Sequence, residues 1–104
     1  MAKLSISRSA KSDLLKIAAF TREKWGADQA ARYLNSLEDC ARMLAENPSI
    51  GRSCEYVRTG LRRFEKGSHV IFYRQTDDGI FISRMLHRSM LPERHSIGSG
   101  DPDS

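Results

Sequence analysis

His69, Tyr73 and Arg74 fall together in the stretch HVIFYRQTDDGIFI, residues 69 to 82, and Arg84, His87 and Arg88 follow closely. Imidazole gains and loses protons near neutral pH, and guanidinium grips phosphate or carboxylate through two parallel hydrogen bonds. Gathered at one phosphate, such groups would supply the acid, base and cation needed to cleave RNA through its own 2′-hydroxyl. His95 adds a third imidazole. Spread over a surface, the same residues make a basic binding face. Each also has a plainer role. His87 reads as a strand-end histidine bonded to backbone. Tyr73 reads as a core or interface residue with its hydroxyl at the edge. Arg58, Arg62, Arg63, Arg74, Arg84, Arg88 and Arg94 all lie in the second half of the chain. They can hold an acidic partner, or form a solvated rim that guards a small sheet against edge pairing.

The elements that position these groups follow from periodicity. Leu4 and Ile6 alternate with polar residues, the pattern of a short strand. Ser7 or Ser9 can cap the helix expected from Ala10 to Trp25, whose stripe is Leu14, Ile17, Ala18, Thr21 and Trp25. Gly26 stops it, and left-handed backbone is expected there. Asp28 is the expected cap of a second helix running to about Glu46, with Ala30, Leu34, Leu37, Ala41 and Leu44 inward. The short link makes the two helices antiparallel neighbours. Tyr33, Met43 and Trp25 read as packing residues at the margins. Residues 48–60 are rich in turn formers and read as a loop. Three strands follow: Leu61 to Lys66, His69 to Gln75 and Ile80 to Leu86, joined by tight turns at Gly67-Ser68 and Thr76-Asp77-Asp78-Gly79.

The expected fold is therefore α+β, β-α-α-β-β-β, with a helical hairpin packed on one face of a small four-stranded antiparallel sheet. Residues 69–75 carry apolar groups on both faces, Ile71 and Tyr73 on one and Val70 and Phe72 on the other, as an inner strand covered on both sides does. The face away from the helices is expected to be open, with Phe64 lying there or in the core. An open apolar face invites a partner.

Composition narrows the function classes. The chain has 104 residues, enough for one domain, expected over 1–95, with a polar tail at 96–104 expected to be disordered. Its formal charge of +4 fits an anionic partner, nucleic acid or acidic protein, and fits equally a soluble basic surface. Cys40 and Cys54, the only two cysteines, lack the paired ligands of a zinc site and read as reduced thiols. No apolar leader or membrane-length run is present, so a cytoplasmic protein is expected. Aromatic interleaving is too sparse for a single-strand nucleic-acid groove.

The ordered set LAENPSIGR (44–52), GLRRFEKGSHVIFYRQTDDGIFISRMLH (60–87) and MLPERH (90–95), with AKSDLLKI and ARYLNSL in the helices, resembles the ParE branch of the RelE/ParE toxin superfamily. The resemblance spans residues 4 to 95. It implies a toxin of a type II toxin-antitoxin system that poisons DNA gyrase by binding, and a ParD-like antitoxin that wraps it. DNA enters only through the antitoxin or gyrase, and no cofactor or metal is implied. The sister RelE branch instead cleaves messenger RNA on the ribosome. Relatives in that branch commonly place an arginine where this chain has Val70, and keep a tyrosine near the C-terminus, whereas no tyrosine follows Tyr73 here. An aliphatic side chain neither binds phosphate nor moves a proton. The reading is thus a gyrase-binding toxin. Its expected antitoxin contacts are Phe64, Arg62, Arg74, Arg84 and Tyr73, and its expected target contacts are Leu86, His87, Arg88, Met90 and Arg94. The rivals are a ribonuclease using His87, Arg88 and Arg84, and a non-toxic partner that only co-represses with its antitoxin.

Overall fold

The structure is a computed structural model that describes residues 2–91. Arg94, His95 and the expected disordered tail lie outside the described residues. Strand β1 (Lys3–Ile6) leads into helix α1 (Arg8–Trp25), which begins two residues before the expected start. Of the two candidate caps it is Ser7 that serves. Its Oγ accepts from the Ala10 N–H at 2.9 Å and donates to the Ser83 carbonyl at 2.7 Å, so one hydroxyl starts the helix and ties it to the sheet. The buried stripe of α1 is Ala10, Asp13, Ile17 and Thr21. Leu14 sits at its margin and Trp25 is 51% exposed, so the inward face is rotated from the expected one.

Helix α2 (Ala27–Glu46) follows directly. Asp28 is not its cap but lies in its first turn, where a carboxylate suits the positive end of the helix. Gly26 closes one helix and opens the next: its N–H reaches the Arg22 carbonyl and its carbonyl accepts from Ala30. It does so at φ +91°, ψ 168°, outside the left-handed helical well that was expected and in a region that glycine alone occupies easily.

The sheet departs from expectation in two ways. It has five strands, ordered β1-β5-β4-β3-β2, and it is mixed. The added strand β2 (Arg52–Ser53) lies in the stretch read as loop and pairs with β3 (Leu61–Lys66). β3, β4 (His69–Thr76) and β5 (Gly79–His87) are antiparallel, as their short turns require. β1 runs parallel to β5, because the helical hairpin between them carries the chain back before the sheet continues. Between Phe72 and Tyr73 the register slips, with Phe72 opposite Arg84 and Tyr73 opposite Ile82, leaving Ser83 as a bulge.

β4 is the central strand and is buried from His69 to Tyr73. Ile71 and Tyr73 face the helices and join Ala10, Ile17, Leu37, Ala41, Leu44 and Met85 in the main core. Val70 and Phe72 face away, and that second face is not open. Cys54 from the 54–60 loop and Leu91 fold over it with Leu61, forming a second, smaller core. Cys40 and Cys54 are free and buried, one in each core. No helix among the described residues is long and apolar enough to cross a membrane.

Candidate functional site

The register places His69, the first residue of β4, directly opposite His87, the last of β5. Their rings meet edge to face with centroids 5.3 Å apart. The two histidines therefore converge, which the sequence left open. His69 is almost fully buried, and its Nδ1 lies 2.7 Å from the Tyr33 hydroxyl on α2. Tyr33 also accepts from the Ser68 N–H at 3.2 Å, pinning the β3–β4 turn to the helix. It is thus more than the packing residue expected. Burial and, second, the neighbouring His87 push the His69 pKa below its ordinary value.

His87 begins the 3₁₀ turn Arg88–Met90, and its Nδ1 accepts from the Ser89 backbone N–H at 3.1 Å. The Ser89 hydroxyl lies 2.9 Å from the same atom, so the ring is tied to the turn through Nδ1.

Asp13 supplies the next part of the site. Its carboxylate accepts from Arg84 Nε at 2.8 Å, Arg84 Nη2 at 3.0 Å and the Met85 N–H at 2.9 Å. Burial pushes the Asp13 carboxyl up, but these bonds and the Arg84 charge outweigh it and hold the group below the ordinary carboxylate range. Asp13 was not singled out from the sequence. Its signal was present as spacing: it lies three residues after Ala10 and four before Ile17, on the buried stripe.

Together these residues border a cavity of about 410 Å³ between α1 and the end of β5. Ile17, Phe20, Met85, Leu86 and Met90 give it an apolar lining, with Asp13, Lys16, His69, Arg84, His87 and Ser89 as polar members. Phe20 and Met90 are half exposed at 51% and 55%. Of the expected target contacts, Leu86, His87 and Met90 gather here. Arg88 turns away to Glu65, at 2.7 Å, and Arg94 lies outside the described residues.

The expected antitoxin contacts do not form one surface. Tyr73 is fully buried, and its hydroxyl donates to the Pro48 carbonyl at 2.7 Å and accepts from the Gly51 N–H at 2.9 Å. It is a core residue and is withdrawn as a contact. Phe64 packs against the main core, and Arg62 donates to the Gly51 carbonyl at 2.6 Å. Arg74 lies exposed over the Phe81 ring, 4.8 Å from its centroid, and Arg84 is paired with Asp13. Arg52, Arg63 and Arg88 all converge on Glu65. Burial pushes the Glu65 carboxyl up, but Arg63 and Arg88 hold it below its ordinary value. The second face keeps a groove of about 440 Å³, lined by Val57, Leu61, Phe72, Phe81 and Leu86 with Arg58 and Arg84 at its border. Val70 lies in the second core and is a buried packing site.

Residues 4–92 match the family described as ParE toxin of type II toxin-antitoxin system, parDE. Toxin ParE1 of Caulobacter vibrioides is 42% identical over 90 residues, spanning 86% of this chain and 93% of that protein. Toxin ParE1 of Mycobacterium tuberculosis is 41% identical over 91 residues, with the same coverage. A solved structure of a chromosomal ParDE TA system from P. aeruginosa shares the fold with a TM-score of 0.70 at 20% identity, covering 84% of this chain and 96% of that one.

Proposed function

The chain belongs to the ParE toxin family of type II toxin-antitoxin systems, and from that premise we propose that it inhibits DNA gyrase by binding and is neutralised by a ParD-like antitoxin. The observation that carries this reading is the mostly apolar cavity between α1 and β5, where Leu86, His87 and Met90 gather with Ile17, Phe20 and Met85. Such a lining suits another protein's side chains. Leu86, His87 and Met90 are the gyrase contacts in this reading, and the protein acts in the cytoplasm, where gyrase works.

The antitoxin segment takes the groove on the second face of the sheet. Apolar side chains enter between Phe72, Phe81 and Leu86, and carboxylates meet Arg58 and Arg74. Contact with DNA is indirect, through either partner. The name of the P. aeruginosa system, a ParDE pair, supports an antitoxin partner for this chain.

A supercoiling assay with purified toxin tests the proposal. Inhibition that is relieved by the antitoxin is expected. No inhibition, together with cleavage of ribosome-bound messenger RNA, overturns it.

A further inference from the structure

The cavity between α1 and β5 joins a mostly apolar lining to basic side chains. The Asp13 carboxylate, its one acidic member among the described residues, has both oxygens taken by Arg84 and the Met85 N–H. Each imidazole uses Nδ1 within the fold, His69 toward Tyr33 and His87 toward Ser89. The Tyr33 hydroxyl accepts from the Ser68 N–H and donates to the Lys66 carbonyl at 3.2 Å, so it is held between the β3–β4 turn and His69. Lys16 contributes an ammonium group with three donors and lies exposed on α1. With Arg84 held by Asp13, Lys16 is the exposed cation beside a mostly apolar lining.

We infer that this cavity receives a segment of the target protein in which a large apolar side chain is flanked by an aspartate or glutamate. The inference rests on the gyrase reading above and deepens it. The apolar side chain enters between Ile17, Phe20, Met85 and Met90, which a phosphodiester backbone could not fill. The carboxylate meets Lys16 and the His87 ring at the border, where bonds are assisted by charge. A basic segment would instead set like charge against Lys16. The half-exposed Phe20 and Met90 at the border match the large apolar anchors that dominate small interfaces.

The test measures binding of the toxin to purified gyrase without DNA, and inhibition of supercoiling, for Lys16→Glu, Phe20→Ala and Met90→Ala beside the unaltered protein. Arg42→Ala, on exposed α2 and paired with Glu38, is the control. Each of the three variants should weaken gyrase binding about tenfold or more, with Lys16→Glu the most salt-sensitive and Arg42→Ala neutral. Circular dichroism and retained antitoxin binding check that the variants are folded. If the three bind gyrase as the unaltered protein does, the inference is wrong while the gyrase reading stands. If they lose affinity for the antitoxin and not for gyrase, the occupant is the antitoxin. If their defect appears only with DNA present, the site holds phosphate. Either result overturns the inference. If the unaltered toxin does not inhibit gyrase at all, the reading beneath it fails first.

Discussion

Asp13 ties α1 to β5 through Arg84 and the Met85 N–H. Removing its carboxylate leaves the Met85 N–H buried without an acceptor and Arg84 without its partner. Asp13→Ala should cost about 2–4 kcal/mol in urea unfolding, more than an exposed ion pair is worth. Its pKa is below the ordinary 3.8, so its stabilisation is present above that value and is lost as pH falls through the lower folded value. His69 works in the opposite pH range. It is held neutral, with its folded pKa below the ordinary 6.5, and it faces His87, Tyr33 and the neighbouring Lys66 rather than a carboxylate. The folded state thus binds fewer protons than the unfolded one. Stability should be full above about pH 6.5, fall as pH drops from there through the depressed value, and then level off. Denaturant midpoints at pH 7.5 and 5.5 check this, and His69→Phe should flatten the difference. The convergence of His69 with His87 was not legible in the sequence, because facing depends on register, and register depends on where the β4–β5 turn closes.

Among the elements, β1 shows most clearly where sequence reasoning stops. The hairpins β3–β4 and β4–β5 were legible because turns of a few residues allow only antiparallel neighbours. The alternation of Leu4 and Ile6 announced a strand but not its partner, since two helices intervene before the sheet resumes. The partner is set by Gly79. A Cβ there would overlap the Lys3 carbonyl oxygen, so β1 can approach β5 only over a residue without a side chain. Gly79→Val should therefore push β1 off the sheet edge. Amide exchange at Lys3 and Ser7, which donate to Asp78 and Ile82, should speed up. Stability should fall by about 1–3 kcal/mol, the usual cost of forcing backbone apart in a packed site. The same limit applies on the second face. The 54–60 stretch reads as a loop by composition, and nothing local says that Cys54 and Leu91 will close over Val70 and Phe72. Asp77 and Asp78, by contrast, read as turn residues and sit in the turn.

At the scale of the whole molecule, the two cavities share a wall. Arg84 and Leu86 border both the cavity beside α1 and the groove on the second face. Arg84 is fixed there by Asp13, so its position answers to the main core as well as to either surface. A segment that fills the second-face groove to its border therefore reaches the residues on which the other cavity depends. In the proposed function, neutralisation then follows from overlapping occupancy, without any change in the fold of the toxin. Two substitutions separate this from independent sites. Leu86→Glu lies on the shared wall and should weaken gyrase and antitoxin binding together, each about tenfold or more. Val57→Glu lies on the second-face groove alone, beside the basic residues the antitoxin would meet. It should raise the antitoxin concentration needed to restore supercoiling more than it raises the toxin concentration needed to stop it. Titrating antitoxin into the supercoiling assay for each variant gives both numbers. Independent sites would instead leave a ternary complex of gyrase, toxin and antitoxin at saturating antitoxin, visible as a single species by solution mass. Overlap predicts that saturating antitoxin releases gyrase free, because one wall cannot be covered twice.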